Sequence, residues 1–167
     1  MAEKDRQLKS GLSALLGSKG FEVIPIATSD GPTPDLAASD GQITYLIEIK
    51  HKLQRAPQAD EAETGVRWDR VGRSNRLSGI VKKATDQLQS RQTDETVNLM
   101  WFFGECPDQH LQYEQLRATV YGMRLVVATE GGTGVAKYGY YVTHSDFYRW
   151  RDVLDGVALG LEGFLLN

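Results

Sequence analysis

Leu8, Leu12, Leu15 and Leu16 recur at i, i+4, i+7 and i+8, which predicts an amphipathic helix over roughly residues 3–18. The glycines of "GSKG" (17–20) end it. "FEVIPIA" (21–27) follows as a strand, with Pro25 arguing for an edge position or a bulge. "PDLAAS" (34–39) and "QITYLIEIK" (42–50) read as two strands joined by the two-residue hairpin turn Asp40-Gly41. Residues 53–76 lose all periodicity and are mostly polar, the pattern of a long functional loop or of a disordered arm. Leu77, Ile80, Val81, Ala84 and Leu88 then form a second helical stripe, and "VNLMWFF" (97–103) is apolar throughout, as in a strand covered on both faces. In the last third, Tyr113, Leu116, Val120 and Tyr121 predict a helix, "MRLVVAT" and "KYGYYVT" strands around an "EGGTG" turn, and "SDFYRWRDVLDGVAL" a final capped helix through Phe147, Trp150, Leu154 and Val157.

One strand is unusual. Alternation puts Thr44, Leu46, Glu48 and Lys50 on one face of "TYLIEIK", and Tyr45, Ile47 and Ile49 on the other. A charge within a sheet costs several kcal/mol, roughly, unless something pairs with it. With Asp40-Gly41 as the turn, Asp35 pairs with Leu46 and becomes the diagonal neighbour of Glu48, about 7–8 Å away at the backbone. Two carboxylates and an ammonium then meet on one sheet face. That set suits metal-assisted phosphodiester hydrolysis: Mg²⁺ takes one or two carboxylates plus water and phosphate. The ion polarises the phosphoryl oxygen and activates a bound water, while the ammonium neutralises developing charge.

Composition narrows the class. At 167 residues, 41% apolar and 25% charged, the chain is expected to be one soluble globular domain over 1–167. No apolar run approaches the ~18 residues of a membrane span, and "MAEKDRQLKS" has no apolar leader, so a cytoplasmic protein without a membrane partner is expected. Cys106 is the sole cysteine and the three histidines are scattered, which excludes an internal disulfide and gives no zinc spacing. The net charge of −3 is no nucleic-acid signature. Its distribution changes that picture, because residues 50–91 hold ten Lys/Arg against five acids on an otherwise acidic chain.

"PD" at 34–35, a hydrophobic strand and "EIK" at 48–50 resemble the PD-(D/E)xK nuclease superfamily. The stretch from Lys19 to Lys50 looks most like archaeal Holliday-junction resolvases and restriction-endonuclease-like proteins. The resemblance covers roughly 3–103. It implies an α/β restriction-endonuclease-like core of helix, three-stranded meander, helix and strand, with 104–167 as additional C-terminal strands and helix. It further implies a Mg²⁺-dependent endonuclease or phosphodiesterase, Mn²⁺ substituting, acting on DNA ahead of RNA. A homodimer is implied if both strands of a duplex are cut, since one centre cuts one strand. Carried over, Asp35 and Glu48 are metal ligands, the Ile49 carbonyl a further ligand, and Lys50 the catalytic lysine. Many members add a glutamate from the first helix; here Gly11 stands at that position, and neither Glu3 nor Glu22 fits it. On the second helix, Lys83 and Gln87 are the polar candidates, with Lys82 close behind.

Each signal has a plainer reading. An ExK triplet occurs by chance in many strands, and Asp35 could simply cap the turn after Pro34. Lys52, Arg67, Trp68, Arg70, Arg73 and Arg76 suit a nucleic-acid arm, the tryptophan stacking on a base and the arginines meeting phosphates; the alternative is a solvated insertion. "GGTGVAK" lacks phosphate-loop spacing and reads as a hairpin turn. Cys106 and His110 have no third partner, and Trp101 and Trp150 sit in apolar patterns expected in the core. The rival to a nuclease is a catalytically inactive nucleic-acid-binding or protein-interaction module on the same fold.

Overall fold

The long apolar run of residues 97–103 is the natural centre of a sheet, and it is there that the chain organises itself. A computed structural model describes residues 2–27, 31–53, 72–105, 109–130, 133–160 and 163–167. It begins with helix α1 (Ala2–Ser18) and strands β1 (Glu22–Pro25), β2 (Leu36–Ser39) and β3 (Thr44–Leu53). Helix α2 (Asn75–Gln89) and strand β4 (Thr96–Glu105) follow, then α3 (Gln109–Tyr121) and the strands β5 (Met123–Glu130) and β6 (Thr133–Tyr140). A 3₁₀ turn at Val142–His144, a short α4 (Asp146–Arg149), β7 (Gly156–Leu159) and β8 (Gly163–Leu166) complete it. The protein is thus mixed α/β. By its packing the chain divides into two units: Met1–His51, Ile80–Phe103 and Trp150–Asn167 form one, Lys52–Gly79 and Gly104–Arg149 the other.

The first unit carries a six-stranded sheet in the order β1-β2-β3-β4-β7-β8. β1 is its edge strand, as Pro25 suggests, since a proline cannot donate to a further neighbour. β1, β2 and β3 are antiparallel, β4 and β7 parallel, β7 and β8 antiparallel. Leu12 and Leu16 of α1 pack with Leu36, Ala38, Ile47, Trp101 and Ala158, and Tyr45 and Ile49 join the edge of that cluster. The Tyr45–Ile47–Ile49 face of β3 therefore lies under α1. Met100, Trp101 and Phe102 are all buried, so β4 is covered on both faces. The Trp101 indole donates to the Gly160 carbonyl at 2.8 Å, which satisfies its buried N–H.

Two expectations from the sequence are corrected by the fold. The β2–β3 connection is not a two-residue turn, because Ser39 pairs with Thr44 and Leu36 with Ile47. Asp40 is the cause: its Oδ1 accepts from the amides of Gln42 at 2.9 Å and Ile43 at 2.8 Å, closing a four-residue loop in which Gly41 adopts φ 89°. The final helix also stops at Arg149, and "GVAL" is strand β7 beside β4. All four residues of β7 are buried, and Asp155 splices it in: Asn98 N–H donates to Asp155 Oδ2 at 2.7 Å, and Asp155 N–H to the Asn98 carbonyl at 3.0 Å. β8 corresponds to no element that the pattern predicts. Buried Val157 and Leu159 fit a strand as well as a helix, and sheet pairing decided between them.

In the second unit β5 and β6 pair antiparallel from Met123↔Tyr140 to Glu130↔Thr133, the hairpin expected around "EGGTG". α3 follows the Tyr113–Tyr121 stripe, with Tyr113, Leu116 and Val120 buried. The tip at 131–132, Cys106 and arm residues 54–71, including Arg67, Trp68 and Arg70, lie outside the described residues.

Candidate functional site

The corrected register matters most at Asp35. The paired residues end at Leu36↔Ile47, so Asp35 lies just before β2, beside Ile47 of β3 rather than paired with Leu46. Asp35 is held there from three sides. Its amide donates to the Ile47 carbonyl at 3.0 Å, its Oδ2 accepts from the Ile49 amide at 2.8 Å, and its Oδ1 forms an ion pair with Lys9 of α1. Asp35 is therefore more than a cap for its own turn.

Glu48 lies in the middle of β3 at 2% exposure. Its Oε1 accepts from Lys50 Nζ at 2.5 Å, whereas Oε2 is buried and has no hydrogen-bond partner among the described residues. Burial pushes this carboxyl up to about 7. The Lys50 charge opposes that shift, and the Asp35 charge adds to it. Lys50 is in turn anchored: Nζ donates to Gln87 Oε1 of α2 at 2.5 Å, and Gln87 Nε2 donates to the Thr33 carbonyl at 3.2 Å. A chain of hydrogen bonds thus runs from the loop before Asp35, through α2, to the ammonium and Glu48. It fixes a lysine that would otherwise sample many rotamers.

The structure brings Glu48, Lys50 and Gln87 into one hydrogen-bonded set, with Asp35 near Glu48. The helix α1 contribution is a lysine, Lys9, and not a glutamate. Lys9, Leu12 and Leu16 stand at i, i+3 and i+7, so a lysine on the buried stripe was the available signal. Thr33 has no such signal, because it acts through its carbonyl. Lys82 pairs with Asp86 at 2.7 Å, and Lys83 is exposed. Lys52 is placed in β3 by its backbone. Separately, within the second unit, Arg76 is exposed and Arg73 turns to protein groups: the His144 carbonyl at 3.0 Å, Asn75 Oδ1 at 2.6 Å and Ser78 Oγ at 2.9 Å. It also faces the buried Asp146 carboxylate at 3.4 Å.

Among the described residues no group of three or more His, Cys, Asp or Glu side chains could hold a metal ion. Asp35 and Glu48 make a pair, with the Ile49 carbonyl beside them in sequence. An orphaned, buried carboxylate oxygen next to a second carboxylate fits a hard divalent cation that keeps several waters. The fold and the side chains together thus define a mixed α/β protein carrying two carboxylates and an anchored lysine at its central sheet.

No protein-family model matches the chain, and no curated protein matches it. Among solved structures, Hjc, a Holliday junction resolvase of the archaeal hyperthermophile Archaeoglobus fulgidus, is 31% identical over 28% of this chain and 40% of that one, with a TM-score of 0.26. The match therefore spans less than half of that resolvase.

Proposed function

We propose that the protein is a metal-dependent nuclease that hydrolyses phosphodiester bonds, with DNA as substrate and Mg²⁺ or Mn²⁺ as cofactor. The observation that carries this reading is Glu48: a buried carboxylate with one oxygen on an anchored lysine, the other without a partner among the described residues, and the Asp35 charge near enough to act on it. Uncompensated burial of this kind is costly and is what a bound cation relieves. Asp35, Glu48 and the Ile49 carbonyl would hold the ion, which when bound supplies Lewis-acid polarisation of a phosphoryl oxygen. Lys50, kept in place by Gln87, stays beside the reacting phosphate and stabilises the negative charge that develops there. The choice of DNA rests on the "PD…EIK" pattern. Arg67, Trp68 and Arg70 of the arm, with Lys52, Arg76 and Lys83, are the proposed nucleic-acid contacts.

Calorimetry with Mn²⁺ and a cleavage assay test it. Asp35→Asn with Glu48→Gln should abolish Mn²⁺ binding, whereas Lys50→Ala should bind Mn²⁺ nearly as wild type. Its turnover should fall about 10²–10³-fold, as on loss of one transition-state donor. Wild-type cleavage by Lys50→Ala, or no divalent binding by wild type even with nucleic acid present, overturns the nuclease. Nucleic-acid binding without metal binding would assign the catalytically inactive module instead.

A further inference from the structure

Three of the four carboxylate oxygens at the site already have partners, and the partners differ in how easily they let go. Asp35 Oδ2 is held by the Ile49 amide, a main-chain group fixed in β3. Glu48 Oε1 is held by Lys50, whose side chain is 20% exposed and tied to Gln87. Asp35 Oδ1 is held by Lys9, whose side chain is 41% exposed. Lys9 Nζ has no other hydrogen bond or ion pair among the described residues.

A divalent cation held by Asp35 and Glu48 would find Glu48 Oε2 open and would compete with Lys9 for the Asp35 carboxylate. We infer that Lys9 is a resident counter-ion of the site: its ammonium occupies the Asp35 carboxylate for which the metal competes, and metal binding displaces it. This rests on the metal site proposed above. An ion pair with an exposed lysine is weak and entropically costly to hold, so it yields to a divalent ion with two carboxylates to bind. Lys50 cannot take the same role, because Gln87 fixes it and its loss would leave Glu48 buried without any partner. Lys9 is thus a positioning residue. It holds the Asp35 carboxylate in place in the metal-free protein, and it lowers the apparent metal affinity by the amount of its own competition.

The test is Mn²⁺ alone, without nucleic acid, titrated into the full chain by calorimetry. Lys9→Met keeps the apolar stem and removes the charge; Lys9→Gln serves as a second neutral variant should the first fail to fold, and Lys9→Arg restores the charge. The neutral variant should bind Mn²⁺ about 5- to 20-fold more tightly than wild type, with Lys9→Arg returning to the wild-type value. Binding by the neutral variant where wild type shows none supports the inference equally. Unchanged or weaker binding in the neutral variant, while wild type binds Mn²⁺, overturns the role of Lys9 and leaves the nuclease standing. No binding by either protein overturns the role of Lys9, and if it persists with nucleic acid present it overturns the nuclease as well.

Discussion

Under the proposed function, Glu48 links stability to metal binding through one proton. Its carboxyl titrates near 4.5 in the unfolded chain and about 7 in the folded one, chiefly because burial disfavours the charge. The folded state therefore holds the proton more tightly. The stabilising effect is fully present below about pH 4.5, is lost progressively up to about 7, and is absent above that. A shift of this size corresponds to about 3 kcal/mol between the two ends. Glu48→Gln imitates the protonated form, so in EDTA at pH 8 it should unfold at higher urea, with a gain of roughly 1–3 kcal/mol that shrinks towards pH 5. An equal effect at both pH values would show that burial of the charge is not the cause. Mn²⁺ affinity of the wild type should rise with pH and level off just above about 7, since the ligand must lose its proton. Under the proposed metal site, the ionised form of Glu48 costs stability in the empty protein and is the form that would hold the ion.

At the scale of single elements, β3 carries this residue and β7 lies beyond β4 in the same sheet. Ile47 is 1% exposed, pairs with Leu36 and packs under Leu12 and Leu16. Ile47→Ala should cost roughly 2–5 kcal/mol in urea unfolding, because it removes three carbons from a packed cluster. A loss under about 0.5 kcal/mol would place that face elsewhere. β7 offers a sharper distinction between the strand observed and the helix its spacing suggests. At Gly156 an added Cβ would stand 3.1 Å from both the Leu165 carbonyl oxygen and Leu99 Cδ2. Gly156→Ala should therefore destabilise by about 1–3 kcal/mol, whereas the same change in an exposed helix would stabilise by up to about 1 kcal/mol. The sign of the change in melting temperature separates the two.

For the molecule as a whole, charge is unevenly placed: ten Lys/Arg and five acids fall in residues 50–91 of a chain whose net charge is −3. Several of these cations have structural partners, Lys50 with Glu48 and Gln87 in the first unit, Arg73 with His144, Asn75 and Ser78 in the second. Arg67 and Arg70 belong to the arm expected to meet phosphates. Replacing both by alanine should flatten the salt dependence of DNA binding by about 0.9 for each phosphate no longer neutralised, read by fluorescence anisotropy between low and physiological salt. An unchanged slope would reduce the arm to a solvated insertion.

What the sequence determined by itself was local. Apolar periodicity set α1 and α2, alternation set the two faces of "TYLIEIK", and the spacing of Pro34-Asp35 from Glu48-Ile49-Lys50 put the charged residues on or next to one strand pair. These follow from chain geometry over a few residues, where period and spacing suffice. Tertiary structure decided the rest. The side-chain bonds of Asp40 chose a four-residue loop over the two-residue turn and so shifted the register of β2 on β3, pairing Leu36 with Ile47. "GVAL" carries apolar residues that suit either helix or strand, and the bonds of β7 to β4 decided in favour of the strand. Lys9 reached the site because α1 folds over the sheet, joining residues 26 positions apart through an ion pair that no local pattern encodes.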